Sequence, residues 1–345
     1  MSEAKIINIV SGKGGTGKTL LTAVLADLLG NENNSTLIVD LDVFVRGLTS
    51  LLYYHKKERL ELIESDEISI ADFFIDKGDL DISGKAKIAT ARYRTFDVVP
   101  SVSRVDEILT FTDLMPDTKS EAINLLSLLM KKFKTQYDFI LLDSRAGYDE
   151  LVAASHFISD VSVCVEEEDS ISKITSNNLV NQLKEDSDSP IFRLTNKSRS
   201  TGQSTDNLAV DNLGLVPFDM DVMKTFGTQY FWTDITRTLY RSSIAKAWNN
   251  LSNKLGWNIT VSEFRATPFG SDKVEKKLQF FSVKDRILLV YGLIIGFTGL
   301  LYPLIDISWI DNILSQPDGM VRVLAMFTGL FGFGLSAWII LKNKK

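Results

Sequence analysis

Residues 11–20 read SGKGGTGKTL, and GKGGTGKT (12–19) fits the pattern G-x-x-x-x-G-K-S/T. The chemistry this spacing serves is phosphate binding. A glycine-rich turn lets backbone N–H groups converge on an anion at the positive end of a helix. Lys18 would reach the terminal phosphate oxygens, and the Thr19 hydroxyl would bind Mg²⁺. The cradle is Gly12, Gly14, Gly15, Thr16, Gly17, Lys18, Thr19 and Leu20. One phosphate-binding lysine is enough for this motif, yet the loop carries a second, Lys13.

Such a loop works only between a strand and a helix. KIINIV (5–10) before it is a β-branched run, and TLLTAVLADLLG (19–30) after it has helical periodicity, with Gly30 expected as its stop. Further strand-like runs are STLIVDLD (35–42), FDVVPS (96–101), YDFILLDSRAG (137–147), DVSVCVEEE (160–168), SPIFRLTN (189–196) and DNLGLVP (211–217). Helical spacing marks 120–133 and 174–184, and 233–256 reads as one long helix ended by Gly256. The strands are continuous apolar runs rather than alternating ones, as in a sheet buried on both faces. The reading is an α/β domain: a mostly parallel sheet, helices on both faces, of the P-loop NTPase type.

Other chemistries are disfavoured by composition. A single cysteine, Cys164, excludes an intrachain disulfide or a cysteine metal cluster, and His55 and His156 lack metal-ligand spacing. The net charge of −6 gives no support to coating DNA by bulk electrostatics, so a DNA-partition role would need a local basic face. No secretory signal is expected, because the first apolar run is only six residues long.

The last part of the 345-residue chain differs in kind. Residues 287–305 and 323–341 are two uncharged apolar runs of 19 residues. About 20 residues cross about 30 Å of hydrocarbon as a helix. Lysine and arginine flank the pair on both outer sides, while the intervening loop holds Arg322 against Asp306, Asp311 and Asp318. The expected topology is a two-helix transmembrane hairpin in the cell inner membrane, with both ends cytoplasmic. The organisation reads as a nucleotide domain (1–265), a basic linker (266–286), the hairpin (287–341) and a basic tail (342–345). Gly292 and Gly296, and Gly329, Gly332, Gly334 and Ser336, suit close helix packing, either within the hairpin or between subunits.

Lys13 within GKGGTGKT resembles the deviant Walker A loop of the MinD/ParA ATPases, of the SIMIBI class, over about residues 1–260. The resemblance implies an ATP- and Mg²⁺-dependent, slow ATPase that forms a homodimer with ATP between subunits, Lys13 reaching the partner's phosphates. VDLDVFVRGLTSLL (39–52) resembles the family's first switch, which makes Asp42 the orienter of the attacking water and puts Asp40 on the metal side. YDFILLDSRAG resembles its Walker B and second switch, so Asp143 is implied to hold Mg²⁺ through water and Gly147 to turn the switch backbone. VVPSVSRVDEIL (98–109) is similar to a further family strand end. RLTNK and LGLVPFDMDV are similar to base-bordering segments, pointing to Asn196 and to Pro217 with Asp219; a helix cap and a plain turn are the alternatives. Ser144-Arg145-Ala146 departs from the family's usual second switch, leaving Arg145 as a phosphate ligand, a partner contact or a cap on a carboxylate.

The implied activity is that of a membrane-anchored ATP switch signalling to a membrane or an unidentified protein partner. One alternative is a membrane effector whose ATP-linked oligomerisation perturbs the bilayer, as in defence. Another is a bacterial tyrosine kinase, although the spans here follow the catalytic region and the tail reads KNKK.

Overall fold

A computed structural model describes residues 3–55, 67–75, 87–103, 116–199, 210–226, 228, 231–236 and 238–263. All lie in the first of the two units into which the chain divides, Met1–Ala266. The linker from 266, the expected hairpin at 287–341 and the tail lie outside the described residues. Among the described residues no helix is long and apolar enough to cross a membrane.

The strand–loop–helix unit opens the fold: β1 (Lys5–Ser11) runs into α1 (Lys18–Asn31). β2 (Thr36–Asp40) and α2 (Gly47–His55) follow, then β3 (Glu67–Ile68), α3 (Ile70–Ile75), β4 (Lys87–Ile88), β5 (Ala91–Tyr93) and β6 (Phe96–Val99). The second half brings α4 (Lys119–Phe133), β7 (Phe139–Ala146), α5 (Glu150–Ile158), β8 (Val161–Glu166), α6 (Ser170–Asp186), β9 (Ile191–Ser198) and β10 (Asn212–Pro217). Three helices complete it: α7 (Met220–Thr225), α8 (Phe231–Ile235) and α9 (Leu239–Lys254).

Eight strands form one sheet in the order β10-β9-β8-β1-β7-β2-β6-β5, and β3 pairs with β4 apart from it. Only the edge strand β5 runs antiparallel among these eight. Because side chains alternate across a strand, each strand feeds two cores. Ile7, Ile38, Leu141 and Val163 face one core with α1 and α9; Ile6, Leu37, Ile140 and Leu142 face the other with α3, α4 and α5. The continuous apolar runs are thus explained by burial on both faces, the expected α/β architecture.

Two local expectations are corrected. Gly30 does not end α1; the helix continues through Asn31 and Glu32 closes it. Gly30 is there for space, since a Cβ at that position would lie 2.4 Å from the Thr95 carbonyl oxygen. The helix expected over 233–256 is two, α8 and α9. Thr238 interrupts the run as an extended N-cap, its hydroxyl accepting from the Arg241 N–H at 3.2 Å. Gly256 does follow α9, in the left-handed region at φ 68°.

Candidate functional site

The site forms at the carboxyl ends of β1, β2, β7 and β9, where loops leave the parallel sheet. β1 lies between β7 and β8, and its loop therefore meets residues from strands on both sides. This is where open α/β sheets bind ligands. A cavity of about 410 Å³ opens there.

The loop's shape depends on its glycines at two points. Gly17, immediately before α1, sits at φ 87°, and a Cβ on it would fall 2.5 Å from Asn196 Nδ2. Gly12 lies against the second turn of α6, where a Cβ would meet the Thr175 carbonyl carbon at 2.3 Å. Larger residues would push the loop away from the elements that hold it. Gly14, Gly15, Gly17, Lys18, Thr19 and Leu20 border the cavity, while Thr16 is buried behind it.

Lys18 is buried, and among the described residues its one hydrogen-bond partner is Ser11 Oγ at 2.9 Å. Burial lowers its pKa, an effect opposed by the nearby Asp143 and Asp42 carboxylates. Asp143, on β7, accepts from Thr19 Oγ1 at 2.8 Å and Thr22 Oγ1 at 3.3 Å. The expected metal-side pair of hydroxyl and carboxylate is therefore in contact.

Asp40 is directly opposite Asp143 in the β2–β7 register. Burial, reinforced for Asp40 by the facing Asp143 carboxylate, pushes both acids above the ordinary carboxylate range. Asp40 sits beneath the site, outside the cavity lining. One of its oxygens accepts from the Thr49 N–H and hydroxyl at 2.9 and 2.6 Å, the other from the Asp42 N–H at 3.2 Å. It anchors α2 to the strand end. Asp42 does border the cavity, and its carboxylate accepts from the Val45 N–H at 3.1 Å.

Lys13 points away from Lys18 toward the β8–α6 loop of its own chain. Its ammonium lies 2.9 Å from Glu167 and 2.8 Å from Asp169. That ammonium holds the Asp169 carboxyl down at about 2. Arg145 pairs with Asp149 at 3.3 Å, and its guanidinium lies 5.2 Å from the Phe44 ring centre, so of the roles left open the cap on a carboxylate is realised within the chain. Gly147 adopts φ 85° and donates its N–H to the Ser11 carbonyl at 2.9 Å, turning the second switch back onto the loop.

At the opposite end of the cavity, Asn196 donates Nδ2–H to the Thr16 carbonyl at 2.7 Å, which ties β9 to the phosphate loop. Its Oδ1 is buried without a partner among the described residues. Pro217 lines the wall with Phe218, Val222, Met223, Phe226 and Tyr240. Asp219 caps α7, accepting from the Asp221 and Val222 N–H groups. Sequence reasoning reached Pro217 and the start of this wall through LGLVPFDMDV (213–222) but not Met223, Phe226 or Tyr240, which lie beyond that segment. It also missed Ser11 and Thr22, although their places beside GKGGTGKT and one turn beyond it were a usable signal.

The AAA domain family matches residues 4–193, more than half of the 345-residue chain. The septum site-determining protein MinD of Buchnera aphidicola subsp. Schizaphis graminum is 24% identical over 196 residues, covering 56% of this chain and 60% of that protein. The chain thus spans about 60% of the length of this relative. Among solved structures, MinD from Pyrococcus horikoshii complexed with Mg-ADP superposes with a TM-score of 0.55 at 20% identity, covering 75% of this chain and 100% of that one. A ParA family ATPase from Chlorobium tepidum gives 0.51 at 19%, covering 72% and 98%. With its phosphate loop, parallel sheet and strand order in place, the chain belongs to the AAA domain family and has the P-loop fold of the MinD/ParA ATPases.

Proposed function

We propose that this protein is a membrane-anchored, Mg²⁺-dependent ATPase that dimerises around ATP and signals its nucleotide state to a membrane or protein partner. One observation carries the nucleotide reading: Lys18 is buried at the cavity floor, bonded only to a neutral hydroxyl among the described residues. A buried ammonium that no carboxylate contacts directly is costly, the Asp143 and Asp42 charges acting on it only from a distance, and phosphate would supply the direct partner. The rest of the cavity fits the group. Thr19 and Asp143 offer hard oxygen donors to Mg²⁺. The orphaned Asn196 Oδ1 and the apolar wall suit a nucleobase.

The divisions of labour follow. The loop and Lys18 hold phosphates; Thr19 and Asp143 hold the metal, Asp143 through water, while Asp40 positions the switch. Asp42 borders the cavity and orients water. Bound ATP and Mg²⁺ would supply the phosphoanhydride and the electrophilic charge. Lys13, on reaching a second subunit, would add a cation where negative charge develops, as an arginine finger does. Anchoring rests on the lengths and flanking charges of 287–305 and 323–341, which support a hairpin in the cell inner membrane with both ends cytoplasmic. Of Tyr230 and Tyr240, the acceptors that a tyrosine-kinase reading would use, Tyr240 is buried and Tyr230 lies outside the described residues.

The test uses the full chain in detergent. Lys18→Ala should abolish ATP binding. Lys13→Ala should bind ATP but hydrolyse it on the order of 100-fold more slowly, by the scale of a lost oxyanion donor. Asp42→Ala should accumulate an ATP-bound dimer by light scattering. Full hydrolysis by Lys13→Ala would end the cross-subunit role, and ATP binding by Lys18→Ala would end the nucleotide reading. A species much larger than a dimer on ATP addition would favour the membrane effector.

A further inference from the structure

The base end of the cavity holds two buried polar groups that no described residue satisfies. Asn196 is 1% exposed and Tyr240 is 3% exposed, and both border the cavity. Among the described residues neither Asn196 Oδ1 nor the Tyr240 hydroxyl has a hydrogen-bond partner of acceptable geometry, although the Asn196 amide lies close enough to the phenol to act on its charge. Each such group costs stability unless something else completes it.

Both groups are held in place. The bond from Asn196 Nδ2 to the Thr16 carbonyl fixes the amide's orientation, because the reverse would set two oxygens against each other. Oδ1 is thus a committed acceptor. Tyr240 stands in the first turn of α9, between the Thr238 cap and Arg241, whose guanidinium binds Asp27 of α1 at 2.7 Å. Burial, with the Asp219 charge adding to it and the Asn196 amide opposing it, pushes the phenol pKa up, so the hydroxyl stays protonated and able to donate. Asp219 itself is committed to capping α7.

We infer that Tyr240 is a specificity-determining residue, its hydroxyl donating to a ring nitrogen of adenine while Asn196 Oδ1 accepts from the neighbouring exocyclic amino group. The inference rests on the nucleotide reading above. Adenine presents a donor, the 6-amino group, beside an acceptor nitrogen on either side. Guanine presents an acceptor, O6, where adenine has the amino group, and would oppose the Asn196 oxygen. A site built to hydrogen-bond one such pattern rejects the other strongly, because its buried groups are left unpaired. Both Asn196 and Tyr240 lie beyond the segment matched by the AAA domain family, Tyr240 on α9.

The experiment measures binding of ATP, GTP and purine riboside triphosphate, which lacks the amino group, to the full chain in detergent by calorimetry. The wild type should bind ATP at least about tenfold more tightly than either analogue. Tyr240→Phe should lose about tenfold in ATP affinity. Its melting temperature without nucleotide should be equal or higher, since the change deletes an unsatisfied buried hydroxyl. The inference is overturned by equal ATP and GTP affinity in the wild type, by full ATP affinity in Tyr240→Phe, or by a fall in its nucleotide-free melting temperature with equal losses for all three ligands. Each of those outcomes leaves ATP binding itself intact. Failure of the wild type to bind any of the three would remove the nucleotide reading, and this inference with it.

Discussion

Asp27, in α1, is fully buried and holds the phosphate-loop helix to α9. One carboxylate oxygen accepts from Arg94 Nε at 3.1 Å and Thr95 Oγ1 at 3.0 Å; the other accepts from Arg241 Nη1 at 2.7 Å. Asp27→Asn keeps the size and one acceptor oxygen but removes the charge. Arg241 is 4% exposed, so it would stay in the core without a counter-ion. Breaking a buried pair from one side costs about 3–5 kcal/mol. The Arg94 arm is 37% exposed, and its loss is worth about 1 kcal/mol or less. The expected total is about 3–6 kcal/mol, dominated by Arg241. Urea unfolding of the full chain in detergent, followed by tryptophan fluorescence, reads it directly. Trp232, whose ring lies 4.8 Å from the Arg94 guanidinium, reports from the same cluster. Adding Arg241→Met should recover most of the loss, since replacing a whole buried pair by apolar groups is close to neutral. A loss below about 1 kcal/mol in the single variant, or no recovery in the double, would refute the reasoning. ATP affinity should fall with stability, because Arg241 follows Tyr240 in the helix turn that enters the cavity.

Two further predictions concern packing and pH. Gly30→Ala should destabilise despite alanine's better helix propensity, worth about 1 kcal/mol. The new methyl would meet Thr95 O at 2.4 Å, an overpacking cost of about 1–3 kcal/mol; a raised melting temperature would contradict it. His156 is buried with Nδ1 2.8 Å from Ser162 Oγ, and burial lowers its pKa below the ordinary 6.5. The unfolded chain then takes up a proton that the folded chain refuses. Stability from this group is full above pH 6.5 and is lost as pH falls below it, with a slope of up to about 1.4 kcal/mol per pH unit. His156→Gln should flatten that part of the profile; an unchanged slope would show that other groups set it.

What could be read from sequence alone was local. GKGGTGKT between a β-branched run and an apolar-periodic helix specifies a phosphate loop, because its physics lies in adjacent residues: glycines for the turn, a helix end for the dipole, Lys18 and Thr19 at set positions. The strand runs were equally legible, since burial on both faces demands unbroken apolar sequence. The break between α8 and α9 was not, because Thr238 is a tolerated helix residue and an excellent cap, and only the packing around it chooses. Gly30 misled for a similar reason: its lack of a side chain serves Thr95, 65 positions on in the sequence, rather than a helix end.

The sequence by itself thus determined the phosphate end of the site and the α/β class of the domain. Only the tertiary structure decided what faces the phosphates' far side. Lys13 found Glu167 and Asp169 because β8 lies next to β1, although more than 150 residues separate them. Asp40 and Asp143 became neighbours because β2 and β7 share a register. Asn196 and Tyr240 converged because β9 and α9, far apart in sequence, border the same cavity. Contacts of that kind depend on strand order and helix placement, which are properties of the whole core; no short stretch of residues encodes them.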